Sequence, residues 1–199
     1  CSVHALSGQP STRIGDNKVA SRHRVARLKS QPDHLIALQS LARLMAKQGR
    51  TQELLKITAR EASLTESPSR KAKLLHRCGE LHLEADDIDR ARACFEQALD
   101  ARDDFVPALE MLHVVLKRQK DFPALIESLQ RRLLYAPDRH SRATLHIEIS
   151  MLLATELGKP EEALDMLDVM LSRWPEHLPA IHMASRLAES LNDWRQLTS

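Results

Sequence analysis

The feature that most constrains this chain is an internal repeat of about 35 residues, a period typical of helix–turn–helix units. Segments with one shared pattern begin at Leu35, Ala72, Val106, Ala143 and Leu178. Each has apolar residues at helical spacing, a short polar turn, a second apolar helical stretch, and then a proline or aspartate. The pattern predicts an all-α chain built from stacked helix pairs.

The composition favours helices and argues against a nucleic-acid partner. Leucine and alanine dominate the apolar residues, aromatic residues make up 3%, and there are five glycines, a mixture that favours helices over strands. The net charge is +2 with 28% charged residues, so no nucleic-acid partner is expected. The stretch from position 13 to 29 contains six basic residues and a single acidic one. We interpret it as a solvated helix face, or a surface that meets a missing neighbour, rather than as a phosphate-binding patch, because no aromatic residues interleave for base stacking. No apolar run approaches the roughly 18 residues of a transmembrane segment.

The repeat divides the chain into three parts. Residues 1–16 are rich in Gly, Pro, Ser and Thr, which predicts an irregular or flexible segment. Residues 17–31 resemble the second helix of a partial repeat, and residues 32–199 form an array of four full repeats and a truncated fifth. The fifth is expected to turn at Asn192–Asp193 and to end a few residues into its second helix. Neither end shows a polar capping helix, so we expect a piece of a longer array.

The segment Ala72–Phe105 carries the clearest version of the pattern. Its first helix has Leu75, Gly79 and His82, and its second has Ala91, Phe95 and Ala98. These residues match the Trp/Leu, Gly and Tyr, and the Ala, Phe and Ala, of the tetratricopeptide repeat, and the chain resembles diverged bacterial-type members of that family. The resemblance implies an α-solenoid of antiparallel helix pairs in a right-handed superhelix. Small residues would lie where two helices cross, with Ser150 taking the glycine position in the fourth unit.

The resemblance also implies that the first helix of each unit lines a concave groove. Carried over position by position, the partner-binding residues would be Gln39, Arg43, Lys47, Lys73, His76, Glu80, Glu110, Val114, Lys117, Arg118, Ile147, Met151, His182 and Arg186. This set is basic near the first units and apolar toward Ile147 and Met151. We therefore expect a peptide or protein partner with acidic residues toward the first units.

A metal site or a catalytic site is not expected. Cys78 and His82 lie four residues apart and could supply half of a metal site, with Cys94 or His113 completing it. Both also fall in core positions of the repeat, where a thiol acts as a small apolar group, so we interpret them as packing residues. No nucleophile elbow, phosphate-binding loop or dinucleotide fingerprint occurs. We predict no metal, no cofactor and no enzymatic activity.

These observations favour a protein–protein interaction scaffold or adaptor, and two alternatives stay open. Cys1 followed by a polar stretch resembles the mature end of a bacterial lipoprotein, which would make the chain an envelope subunit tethered through Cys1. The repeats could instead be a regulatory helical domain of a larger enzyme. The expected location is cytoplasmic, or the bacterial envelope if Cys1 is lipidated. A homo-oligomer or a place in a larger assembly fits either case.

Overall fold

A computed structural model describes residues 35–198, with side chains described for residues 35–191. Cys1, the segments 1–16 and 17–31 and the basic stretch between residues 13 and 29 lie outside these described residues. The described range contains nine α-helices and no strand. They are α1 (Leu35–Lys47), α2 (Thr51–Leu64), α3 (Pro68–Glu84), α4 (Ile88–Ala101), α5 (Val106–Gln119), α6 (Phe122–Tyr135), α7 (Arg139–Thr155), α8 (Pro160–Arg173) and α9 (Leu178–Thr198).

Each helix packs mainly on its immediate neighbours in the chain. Short turns join consecutive helices, so neighbours run antiparallel. Contacts restricted to sequence neighbours are the signature of a solenoid rather than of a globular bundle. We number the pairs α1–α2, α3–α4, α5–α6 and α7–α8 as units 1 to 4, and α9 begins unit 5. The prediction of an all-α solenoid of helix pairs is confirmed.

Local sequence explains where the helices begin and end. Asp87 precedes α4, and its carboxylate accepts a hydrogen bond from the Arg90 amide at 3.2 Å, which satisfies one of the free N–H groups of the first turn. Pro68 opens α3, where a missing N–H costs nothing. Gly49 and Gly158 follow α1 and α7 with φ near +67° and +62°. That left-handed conformation ends a helix at little cost for glycine.

Three boundaries differ from the sequence expectation. Helices α3 and α7 start at Pro68 and Arg139, four residues before the expected starts, because the capping side chains of Ser67 and Asp138 lie upstream of the apolar repeat. The expected turn at Asn192–Asp193 was wrong, since α9 continues to Thr198. No glycine or proline follows Asn192, and Asn and Asp inside a helix cost no more than about 0.7 kcal/mol each.

The largest apolar core runs through units 2 to 4. Phe95 is its largest fully buried side chain, and Gly79 is buried against it. A Cβ atom at residue 79 would lie 2.5 Å from Cε1 of Phe95, far inside van der Waals contact. Ser150, in the equivalent position of unit 4, is also fully buried. The prediction that small residues occupy these two crossings is confirmed.

Candidate partner-binding surface

The fourteen residues expected to bind a partner lie on α1, α3, α5, α7 and α9, the first helices of the units. We call them the first-helix surface. Gln39, His76, Glu80 and Ile147 are half-buried, and the other ten are exposed. Side-chain contacts connect these helices across unit boundaries. His113 on α5 lies 3.5 Å from the Glu148 carboxylate on α7, and the His76 ring on α3 packs edge-on to Phe105, next to α5, with centroids 5.7 Å apart.

The acidic members of the first-helix surface already have cationic neighbours. The Glu80 carboxylate accepts a hydrogen bond from the Arg77 guanidinium at 3.0 Å. Glu110 lies 3.8 Å from Arg132, which comes from the second helix of the same unit. Glu148, beside the surface, faces His113. These contacts reduce the negative potential that the surface could offer to a partner, although exposed pairs such as these add little stability.

In the described part of the chain, no acidic side chain pairs with the basic residues of the first-helix surface. Within the described part of the chain, no carboxylate oxygen lies within 4.0 Å of the side-chain nitrogens of Arg43, Lys47, Lys73, Lys117, Arg118 or Arg186. Five of these six come from units 1 to 3, and Arg186 comes from α9. The surface therefore presents positive charge that the fold leaves unneutralised, although the whole chain carries a net charge of only +2.

A groove opens between α7 and α9, at the apolar end of the first-helix surface. It has a volume of about 520 Å³ and is lined by Met151, Ala154, Thr155, Pro179, His182, Met183, Arg186, Leu187 and Ser190. We call it the α7–α9 groove. It brings together three predicted residues, Met151, His182 and Arg186, and adds six that sequence reasoning missed. Most of the missed residues lie three or four positions before or after a predicted one, so a helical-wheel projection of α7 and α9 could have found them.

The methionines of units 4 and 5 divide between core and groove. Met170 is fully buried. Sδ of Met166 lies 3.2 Å from Nδ1 of the buried His146, and burial lowers the pKa of His146. Met151 is 49% exposed, and Met183 packs on the small core formed by α7, α8 and α9 while also lining the groove. Met151, one of the residues expected to bind a partner, is therefore the most exposed of the four.

The two described cysteines line a different groove, of about 430 Å³, between α2, α3 and α4. Burial, followed by the neighbouring Cys94, raises the pKa of the Cys78 thiol to about 12. Burial also raises the pKa of Cys94, so both thiols are protonated at neutral pH. His82 points its Nδ1 toward Asp87, 3.7 Å away. Among the described residues, no three His, Cys, Asp or Glu side chains come together in a way that could hold a metal ion.

A helix that crosses a bilayer needs about 20 consecutive, mostly apolar residues. No helix in the described range combines that length with that apolar character.

Comparison with known proteins identifies solved structures that resemble this fold. No family model matches this sequence, and no curated protein is significantly similar to it. Solved structures do match. The crystal structure of MamA protein superposes with a TM-score of 0.52 at 17% identity, covering 84% of this chain and 87% of that one. A tetratricopeptide repeat protein from Parabacteroides merdae gives 0.53 at 15% identity, covering 90% of this chain and 69% of that one.

A third match is YrrB, described as a TPR protein with an unusual peptide-binding site. Its TM-score is 0.50 at 19% identity, and the alignment covers 86% of this chain and 85% of that one. At identities this low the likeness concerns the fold alone.

Proposed function

We propose that this chain, which folds as a tetratricopeptide-type solenoid, is a protein-interaction scaffold whose first-helix surface binds an acidic segment of a partner protein. The observation that carries the proposal is the charge imbalance on that surface. Glu80 and Glu110 are matched by arginines of their own units, whereas six basic side chains have no carboxylate neighbour in the described structure.

The geometry of a solenoid supports the same proposal. Stacked repeats leave an extended surface that can hold several residues of a partner along successive units. Arg43 and Lys47 are four residues apart on α1 and so lie on one face of the helix. Unneutralised cations in such a row attract an acidic segment over long range and raise its association rate. YrrB, which shares the fold, is described as binding a peptide, and this precedent favours a peptide-like partner here.

A selection with random peptides tests the proposal and does not require the natural partner. Phage-displayed 16-residue peptides would be selected on the purified chain, and the enriched sequences synthesised with a fluorescent label. We expect the enriched peptides to be acidic, and their affinity, measured by fluorescence anisotropy, to fall as salt is raised. A selection that enriches no peptide, or only neutral and basic ones, would refute the proposal.

Charge reversal then locates the binding surface. Arg43→Glu combined with Lys47→Glu should weaken binding of the selected acidic peptide and flatten its salt dependence, because rim charges act mainly through steering. The matched control is Lys56→Glu, since Lys56 is an exposed cation on α2, a second helix. Reversals at Arg90 and Glu127, on the second helices α4 and α6, extend the control. Equal losses from first-helix and second-helix variants would place the site elsewhere.

A further inference from the structure

We infer that the α7–α9 groove anchors the acidic segment, taking one large apolar side chain of the partner peptide and placing a carboxylate of that peptide beside Arg186. This inference rests on the proposed function. It adds a specific requirement: the partner must be an acidic segment that also carries a large apolar residue next to an acidic one. Acidity alone would then be insufficient for tight binding.

The lining of the groove fits an apolar side chain. Met151, Ala154, Pro179, Met183 and Leu187 supply its apolar part. The volume of about 520 Å³ falls within the roughly 300–1,000 Å³ of typical ligand pockets. Methionine side chains are flexible and polarizable, so they can adapt to an aliphatic or an aromatic residue.

One wall of the groove is preorganised and the other is open. Met183 and Leu187 pack on the core between α7, α8 and α9, which holds them in place from behind. Met151 stands opposite and is 49% exposed. Covering that exposed surface with an apolar partner residue removes it from water, which is the main favourable term in such contacts. Binding of an apolar side chain is therefore favourable and requires no rearrangement of Met183 and Leu187.

The polar residues of the groove favour a negative charge on the partner, next to the apolar side chain that the groove takes. Arg186 is exposed, and no described carboxylate lies within 4.0 Å of its guanidinium. No acidic residue lines the groove, and His182, the other ionisable group there, lies one helical turn before Arg186. A guanidinium can bind a carboxylate through two parallel hydrogen bonds. The ligand residue beside Arg186 is therefore acidic.

Charge also argues against a second copy of the chain as the occupant. In a twofold-symmetric contact each surface meets itself, so Lys117, Arg118 and Arg186 would face the same cations of the other copy. Like charges that face one another oppose such an interface. An acidic peptide meets no such repulsion.

The experiment uses the whole chain and the tightest acidic peptide from the selection. Met151→Glu should lower its affinity by about tenfold or more, because a charge would then sit in the apolar groove. Val169→Glu is the matched control. Val169 is also an exposed apolar residue of unit 4, with 53% exposure against 49% for Met151, but it lies on the second helix α8. The control should change affinity by less than about twofold. Thermal melts of both variants verify that the fold is intact.

The carboxylate contact is tested by a double-mutant cycle. Arg186→Gln is combined with peptides in which each Glu or Asp is replaced in turn by its amide. One acidic position should show a coupling of about fivefold or more, and replacing an adjacent large apolar residue by Ala should abolish the effect of Met151→Glu. If Arg43→Glu with Lys47→Glu weakens binding while Met151→Glu and Arg186→Gln do not, the groove is not the anchor, although the proposed function survives.

Two other outcomes would overturn the inference. A selection that enriches no acidic peptide refutes the proposed function and the inference together. Analytical ultracentrifugation of the chain alone provides the second outcome. A dimer that dissociates on Met151→Glu but not on Val169→Glu would show that a second copy occupies the groove.

Discussion

The junction between units 2 and 3 and the junction between units 4 and 5 differ in the side chains that lie there. At the first, the His76 ring contacts Phe95 and Phe105, with centroid distances of 5.5 and 5.7 Å, and Phe95 occupies the space above Gly79. At the second, methionines, alanine and serine line an open groove of about 520 Å³ between α7 and α9.

Aromatic rings meet at the first junction, whereas mostly smaller or unbranched side chains border the groove at the second. Rings on both sides of a junction fill the space between helices to the density of a protein interior. Unbranched and small side chains at the corresponding helices leave room for a residue from another molecule. One region of the solenoid is thus filled by its own rings, and the other leaves an open groove.

The largest effect on stability is expected from Phe95→Ala in the filled region. Phe95 is fully buried, and its truncation leaves a cavity that helices in a stack can only partly close. The free energy of unfolding should fall by about 3–5 kcal/mol. Urea denaturation followed by circular dichroism measures it. A loss of less than about 1 kcal/mol would mean that units 2 and 3 are not packed as described.

Gly79→Leu should have the next largest effect. Even a Cβ atom would lie 2.5 Å from the Phe95 ring, so the larger side chain forces the ring or the helix to move, and we expect a loss of about 1–3 kcal/mol or more. Gly79→Ala provides a sharper test, because the helix propensity of alanine and its steric overlap with Phe95 act on stability in opposite directions. On helix propensity alone it would stabilise the protein by roughly 1 kcal/mol. A raised melting temperature for the alanine variant would show that α3 and α4 do not approach closely at residue 79.

A pH dependence is expected near the open region. Burial lowers the pKa of His146, with a smaller contribution from Arg173. The unfolded chain therefore binds a proton more readily than the folded one, so stability should decline as pH falls below about 6.5 toward the lower folded-state pKa. His146→Gln should reduce the difference in unfolding free energy between pH 7 and pH 5. An unchanged difference would show that His146 is accessible to protons in the folded state.

His113 provides an internal comparison for that measurement. Its pKa is also lowered, mainly by burial, but the Glu148 carboxylate opposes the shift and lies 3.5 Å from its Nε2. Arg132 and Lys117 act in the same direction as burial. His113→Gln should therefore also flatten the pH profile, because the net shift has the same sign as that of His146. An unchanged profile would mean that His113 is accessible to protons in the folded state.

The smallest effect on stability is expected from Met151→Ala in the open region. Met151 is 49% exposed, so its truncation should change the free energy of unfolding by no more than about 0.5 kcal/mol. Affinity for a selected acidic peptide should nevertheless fall. A large stability loss would show that Met151 belongs to the core.

The sequence by itself determined the architecture, because the signals for it are local and repeated. Apolar residues at helical spacing define each helix, and capping residues such as Asp87 and turn glycines such as Gly49 mark the ends. The small residues at positions 79 and 150 could be placed at helix crossings, since only small side chains fit there. Local signals failed at Asn192–Asp193, where a polar pair that is typical of a turn lies inside α9.

Only the tertiary structure decided which surface residues are available to a partner. Glu110 is matched by Arg132 from the following helix, while Lys117 and Arg118 on the same helix as Glu110 have no carboxylate neighbour within the described range. The α7–α9 groove depends on the volumes of side chains from two helices that are more than twenty residues apart in the chain. Periodicity reports which face of a helix a residue occupies. It carries no information on the distance to the next helix or on the charges found there, and those two quantities determine what a surface can bind.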